Sequence, residues 1–309
     1  MNKKKLISII CPVYNEANAL NLFIDRIIPI LNSIKYNYEL IFINDGSKDE
    51  TLEILLNTKK RYKNIRIINF SRNFGKEAAL TAGIDKAKGD AIIAIDADLQ
   101  HPPEIILKFI EKWEDGYDVV VGKRLSRTGE TFLKKLSAKL FYSLHNKISD
   151  INIPADIGDF RLISRKVADA IKSLPENQRF MKGIFAWVGF NSAIVEYYQD
   201  NRIAGKSSFN GWKLWNFAID GITSFSTTPL RIWLYIGIII SFISFLLGLI
   251  LVLQAIIHGV DVPGYTSTIT MVLFLGGIQL IGIGILGEYI GRIYKEAKRR
   301  PNYIIENEY

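Results

Sequence analysis

Two apolar runs near the carboxyl end set the strongest limit on what this chain can become. Ile232 to Ile257 holds 26 residues without a charge, and Ser267 to Gly287 holds 21. At about 1.5 Å of helix per residue, each is long enough to cross a hydrocarbon layer of roughly 30 Å. The connecting stretch, His258 to Thr266, has one acid and no Lys or Arg, whereas Arg231 precedes the first run and Arg292, Lys295, Lys298, Arg299 and Arg300 follow the second. Because basic residues stay on the cytoplasmic side, this asymmetry predicts a multi-pass hairpin in the cytoplasmic (inner) membrane with both termini cytoplasmic. Just ahead, Gly211 to Thr228 sets Trp212, Leu214, Trp215, Phe217, Ile219 and Phe225 among few charges, a composition suited to an interfacial helix at the headgroup boundary.

The remaining residues, 1 to about 210, mix polar and apolar positions as a folded domain does. Lys3-Lys4-Lys5 before Leu6 to Val13 has the outline of a signal peptide, but the apolar run is short, lacks a small-residue cleavage site and leads into Asn15-Glu16. It is read instead as a first strand. Cys11 is the single cysteine, which excludes an intrachain disulfide and a thiolate metal cage and fits a reducing compartment. The net charge of +8 calls for an anionic partner. The basic residues gather at Lys123 to Lys147 and Arg292 to Arg300, and a cluster beside a membrane run favours membrane lipids over nucleic acid, for which no motif is present.

Short β-branched runs at Leu6–Cys11, Glu39–Ile43, Ile65–Asn69, Ala91–Ile95 and Asp118–Val121 alternate with helical spacings such as Leu20, Phe23, Ile24, Ile27, Ile28 and Leu31. Strand, helix, strand repeated predicts an α/β fold on a mostly parallel sheet. Further strands are expected at Gly158–Leu162 and Asn191–Tyr198. A basic amphipathic helix is expected over Thr131–Ser149, lying either on a membrane or on the sheet. In such sheets ligands gather at the carboxyl ends of the strands. Those ends read Pro12-Val13-Tyr14-Asn15-Glu16, Asn44-Asp45-Gly46-Ser47, Ser71-Arg72-Asn73-Phe74-Gly75-Lys76 and Asp96-Ala97-Asp98-Leu99-Gln100. Neither a Gly-x-Gly-x-x-Gly turn nor a Gly-Lys-Ser/Thr phosphate loop is present, so dinucleotide and P-loop chemistry lose support.

Asp96 and Asp98, one residue apart after an apolar strand, suit a hard divalent cation that takes its remaining ligands from water and substrate phosphates, with Gln100 able to add a carbonyl oxygen. Such a cation would neutralise a departing diphosphate. An Asp-rich turn is the plainer alternative, made less favourable by the position after the fourth strand. Asp45 suits hydrogen bonds to a base or ribose, or alternatively a turn or helix cap. Arg72 and Lys76 suit phosphate oxygens, though either alone is more often a surface charge.

These four strand-end motifs, in this order and with His101-Pro102-Pro103-Glu104 after the last, resemble the family 2 glycosyltransferases. Within that family the chain is similar to the polyprenyl-phosphate branch, the dolichyl-phosphate mannose synthases and bactoprenol glucosyltransferases. Gly158-Asp159-Phe160-Arg161 and the two carboxy-terminal runs extend the likeness over nearly the whole chain. The resemblance implies a GT-A fold, Mg²⁺ or Mn²⁺, and inverting transfer of a sugar from a nucleotide sugar, UDP-glucose by preference, to polyprenyl (undecaprenyl) phosphate. GDP-mannose, UDP-N-acetylglucosamine and a UDP-amino-arabinose are the alternative donors. It further implies that Pro12, Tyr14, Glu16 and Asp45 surround the nucleoside, that Asp96, Asp98 and Gln100 hold metal and diphosphate, and that Asp159 is the acid near the acceptor. Arg124, Arg202 and Lys206 fall where the lipid phosphate is held, although Gly205-Lys206-Ser207-Ser208 departs from the family's Gly-x-Ser-Lys order. His101 replaces an acid common in the family and is read as structural.

A processive polysaccharide synthase would need more spans and a Gln-x-x-Arg-Trp motif, where this chain has Asn177-Gln178-Arg179-Phe180. A non-catalytic nucleotide-binding scaffold is disfavoured by intact Asp96, Asp98 and Asp159. The expected division is a glycosyltransferase domain at 1–210, an interfacial helix at 211–230, a two-helix hairpin at 231–290 and a basic tail at 291–309. Glycines 276, 277, 282, 284 and 287 suggest close helix contact and a homo-oligomer.

Overall fold

A computed structural model of the protein describes residues 4–125, 157–177, 179–198, 223, 226–258 and 264–309. The expected helix at 131–149, most of the expected interfacial helix at 211–228, and Arg202 and Lys206 lie outside the described residues. The strands are β1 (Leu6–Val13), β2 (Asn37–Asn44), β3 (Ile65–Phe70), β4 (Ala91–Ala94), β5 (Val119–Arg124), β6 (Ile157–Ser164), β7 (Ser192–Tyr197) and β8 (Ile305–Glu308). The helices are α1 (Ala17–Ser33), α2 (Thr51–Arg61), α3 (Lys76–Lys86), α4 (Ile105–Glu114), α5 (Arg165–Ser173), α6 (Met181–Trp187), α7 (Thr228–His258) and α8 (Tyr265–Ala297).

The strands form one sheet in the order β7-β5-β6-β4-β1-β2-β3-β8. The four amino-terminal strands are mutually parallel, β5 and β7 are parallel, and β6 and β8 run against their neighbours, so the sheet is mixed but mostly parallel. Its centre reads as unbroken apolar runs because helices cover both faces. Ile7 and Ile9 point to one core layer, which α1 closes, while Ile10 joins the other layer under α3 and α5. On α1 the six residues singled out by their spacing, from Leu20 to Leu31, are all buried. Each such side chain contributes roughly 1.5–3 kcal/mol on leaving water.

Two long helices follow the sheet domain. Helix α7 and helix α8 each contain a stretch apolar enough to cross a membrane, and those stretches are 0% and 6% buried within the chain. Of the five glycines expected to bring helices together, Gly282 does so: a Cβ there would lie 2.1 Å from the Trp233 indole nitrogen, whereas the other four have nothing within 4 Å. Helix α8 continues past its apolar part, and Glu296 near its end accepts hydrogen bonds from the Asn177 backbone N–H at 2.9 and 3.1 Å.

The chain then returns to the sheet. The segment expected as a basic tail contains β8, which pairs antiparallel with β3. Ile67 and Tyr309 exchange backbone hydrogen bonds of 2.9 and 3.0 Å, and the Ser71 N–H donates to Ile304 O at 3.1 Å. Tyr303 stacks on Phe70 with ring centroids 5.2 Å apart. An edge that would otherwise be open beside β3 is thereby covered.

Candidate active site

The register between β4 and β6 brings the principal acids together. Ala94 pairs with Arg161 in an antiparallel ladder, so two residues further on Asp96 faces Asp159. Like charges opposite one another in a sheet repel, and a cation lies between them. Lys76, the first residue of α3, places Nζ 2.7 and 2.8 Å from the two Asp96 oxygens and 2.9 Å from Asp159 Oδ2. Gly75 before it takes φ +99°, a conformation that favours glycine and turns the chain from the β3 loop into the helix.

Burial would raise the Asp96 carboxyl, but Lys76 and His101 together outweigh it and hold the group far below the usual carboxylate range. Asp159 is likewise lowered, with Lys76 and Lys182 opposing its burial. Burial would lower the Lys76 ammonium, and the two acids reverse that and keep it firmly charged. Asp159 Oδ1 is buried without a hydrogen-bond partner among the described residues.

Asp98 is 7% exposed, and its Oδ1 accepts the Gln100 N–H at 3.1 Å. Between them Leu99 has φ +59°. A bulky residue in left-handed backbone is strained, and strain of this kind gathers at functional turns. Asn15 after β1 also takes left-handed backbone, with φ +54°, a conformation that Asn tolerates. The donor set at Asp96 and Asp98 is hard oxygen, two carboxylates one residue apart, and no group of three or more His, Cys, Asp or Glu side chains converges among the described residues. That composition fits a Mg²⁺- or Mn²⁺-type ion completed by water and phosphate oxygens, and does not fit a closed zinc site. The ammonium of Lys76 against Asp96 shows that the position attracts positive charge.

The other expected residues distribute as follows. Pro12 lies in β1 opposite Ile43, Tyr14 is 43% exposed, and the Glu16 N–H donates to Thr51 Oγ1 at 2.9 Å as α1 begins. Asp45, expected at a base or ribose, has both oxygens occupied by the N–H groups of Phe74 at 2.6 Å and Gly75 at 2.9 Å. Its immediate task is to hold the loop that delivers Lys76. Gly46 beside it, at φ +65°, permits this approach, since a Cβ there would lie 2.4 Å from the Arg72 carbonyl carbon. The Arg72 guanidinium packs over Phe74 at 4.1 Å and donates to Asn73 O; its contacts among the described residues are local.

Arg124 ends β5 and lies opposite Tyr197 of β7. Its Nε is buried without a partner, and Gly158 leaves it room, because a Cβ there would come within 3.0 Å of the guanidinium. His101 is buried, stacked on Phe160 with centroids 5.1 Å apart. Its Nδ1 lies 2.6 Å from the Tyr197 hydroxyl and its Nε2 3.7 Å from Asp96 Oδ2. The ring therefore supports the metal-side acid as well as the core.

Sequence reasoning missed Glu77, Lys182 and Tyr197. Glu77 follows Lys76 on α3 and accepts the Met181 N–H at 3.1 Å; burial and nearby Asp159 push its carboxyl up to about 7. Its position next to Lys76 was the one available signal. Lys182 and Tyr197 reach the site through α6 and β7, whose placement no local motif announces.

The description Glycosyl transferase family 2 matches residues 8–172, and the description GtrB C-terminal hairpin matches residues 228–293. A bactoprenol glucosyl transferase of Shigella phage SfV is 52% identical over 302 residues, covering 98% of this chain and 98% of that protein. An uncharacterized glycosyltransferase of Synechocystis sp. is 51% identical over 301 residues, 97% of this chain and 95% of that one. Among solved structures, the glucosyl-3-phosphoglycerate synthase of Mycobacterium tuberculosis in complex with Mn²⁺, uridine diphosphate and phosphoglyceric acid aligns with a TM-score of 0.50 and 21% identity, covering 71% of this chain and 76% of that chain. The fold is thus GT-A-like, and the chain belongs to glycosyl transferase family 2.

Proposed function

We propose that this enzyme transfers glucose from UDP-glucose, with inversion, to polyprenyl (undecaprenyl) phosphate at the cytoplasmic face of the inner membrane. The observation that carries the reading is the convergence of Asp96, Lys76 and Asp159 in a chain 52% identical, over 98% of its length, to a bactoprenol glucosyl transferase. In this reading Pro12, Tyr14, Glu16 and Asp45 form the nucleoside end of the donor site.

A divalent cation, Mg²⁺ or Mn²⁺, held by Asp96 and Asp98 with Gln100 nearby, would neutralise the charge that develops on the departing diphosphate. The ordered turn from Asp98 to Gln100 keeps those oxygens in place before substrate arrives. Lys76 holds its ammonium at the same point and is placed to follow the diphosphate oxygens once they enter. Arg124, Arg202 and Lys206 are assigned to the acceptor phosphate by resemblance. A phosphate monoester has its second pKa near 6 and reaches the site already largely dianionic. It needs little deprotonation, so Asp159 orients the attacking group. Asp159→Asn with nearly unchanged turnover would remove that carboxylate from the mechanism.

The acceptor's isoprenoid tail stays in the bilayer, so a hairpin in the same layer supplies proximity. Arg231 and the basic residues after the second apolar run support the reading that both ends, and the catalytic domain, lie on the cytoplasmic side. The reading includes self-association through the hairpin, which a monomeric mass in lipid discs would contradict. The donor is tested by offering the purified enzyme labelled UDP-glucose, UDP-N-acetylglucosamine, a UDP-amino-arabinose and GDP-mannose with undecaprenyl phosphate. Preferential labelling of lipid from UDP-glucose, as the β-anomer, is the expected outcome; preference for another donor replaces the sugar, and an α-linked product contradicts inversion.

A further inference from the structure

A single line of hydrogen bonds runs from the carboxy-terminal strand to the loop after β1. The Asn69 side chain donates from Nδ2 to Glu306 Oε2 at 2.8 Å. Its Oδ1 accepts from Asn44 Nδ2 at 2.7 Å. Asn44 Oδ1 accepts from the Ser47 hydroxyl, and Ser47 Oγ accepts the Asn15 backbone N–H at 3.0 Å. The loops are then closed on each other by the Lys48 N–H, which donates to Asn15 Oδ1 at 2.8 Å. Asn44 and Asn69 are both buried, in adjacent strands β2 and β3 paired at this level.

The chemistry of the two ends fixes the direction of the whole line. A carboxylate only accepts and a backbone N–H only donates, whereas each amide and the hydroxyl can do either. Only one polarity satisfies every member. Reversing either buried amide would set oxygen against oxygen at one end and leave donors unmatched at the other. Glu306 lies beyond the membrane helices, 262 positions after Asn44 in sequence, yet it closes the line that ends beside Tyr14 and Glu16.

We propose that Glu306 is a positioning residue for the donor site: by orienting Asn69, Asn44 and Ser47 in turn it holds the Tyr14–Glu16 loop in its nucleotide-ready form. The tail is then a working part of the active site, and the same strand that anchors the hairpin to the sheet sets the nucleoside pocket. This rests on the reading of that loop as the nucleoside end of the donor site.

The test compares full-length wild type, Glu306→Leu, Glu306→Gln and Glu308→Leu in detergent. Glu308 is the control, since it lies on the same strand but pairs with Lys86 at the surface. Two quantities are read: hydrogen exchange in the peptide spanning residues 12–18, and the KM values for UDP-glucose and undecaprenyl phosphate. Glu306→Leu is expected to speed exchange in that peptide and to raise the UDP-glucose KM about five-fold, the fold-change equivalent to one hydrogen bond of about 1 kcal/mol. The acceptor KM stays unchanged. Glu306→Gln, which keeps an acceptor oxygen at the same reach, restores both quantities, and Glu308→Leu leaves both as in wild type. Exchange unchanged in Glu306→Leu, an unchanged donor KM despite faster exchange, or an equal effect from Glu308→Leu overturns the proposal. If wild type uses no UDP-glucose, the donor assignment fails, and the exchange comparison still decides whether Glu306 orders the loop.

Discussion

Ile9 in the sheet and Ile256 in the first long helix are the same side chain in opposite circumstances. Ile9 is 0% exposed and Ile256 is 75% exposed. In the sheet domain, apolar residues recur at periods of two and of three to four and are hidden by the chain's own packing. In the hairpin they run all around each helix, and the chain covers almost none of them. A helix that is apolar on every side must be covered by something, and two such helices, each long and apolar enough to cross a membrane, suit a lipid surrounding. The difference teaches that chemistry and placement are built separately: the sheet holds the reacting groups, and the hairpin holds the sheet where a lipid-borne acceptor lies.

Several changes would break or sharpen that separation. Asp98→Ala is expected to reduce transfer by about 10²–10³-fold while the protein remains with the membrane through an alkaline wash. Loss of membrane attachment in that variant would show the two halves to be coupled. Ile9→Ala should cost about 2–5 kcal/mol in unfolding of the sheet domain by opening a cavity, whereas Ile256→Ala should stay within about 0.5 kcal/mol. Equal costs would contradict the assignment of different surroundings. Lys76→Met leaves Asp96 and Asp159 facing each other without their shared cation. Discounted for the partial exposure of the lysine, this should cost about 1–2 kcal/mol in denaturant unfolding, and adding Asp159→Asn should recover most of it. A pH effect concerns Glu77, whose folded carboxyl sits at about 7 against an ordinary 4.5. Between those values the folded state binds the extra proton, so stability should fall as pH rises through them. Glu77→Gln should flatten that part of the stability profile, and an unchanged slope would remove Glu77 as its source.

Most of the sheet was legible because burial on both faces writes itself as β-branched runs, as at Ile7, Ile9 and Ile10, and because strand-end motifs fall where such sheets bind ligands. Asp96 and Asp98 stood out because they follow the fourth strand one residue apart. Asp45 was harder, since a carboxylate that binds a nucleoside and one that pins the Phe74–Gly75 backbone look identical in sequence. The opposition of Asp96 and Asp159 depends on the β4–β6 register, which no local pattern encodes across 62 intervening positions. Strand β8 escaped because Glu306, Asn307 and Glu308 are exposed on an edge and show no alternation; its place is dictated by Asn69, Phe70 and Ile67 on its neighbour. His101 was read as structural, and its ring does pack in the core, but its approach to Asp96 required the fold.

The most direct test of the account is transfer of labelled glucose from UDP-glucose to undecaprenyl phosphate by the purified protein, with Mg²⁺ or Mn²⁺, with EDTA, and with Asp98→Ala. Labelled lipid that depends on the divalent ion, and is absent with EDTA and in the variant, is the expected result. Equal labelling in EDTA and in Asp98→Ala would contradict it.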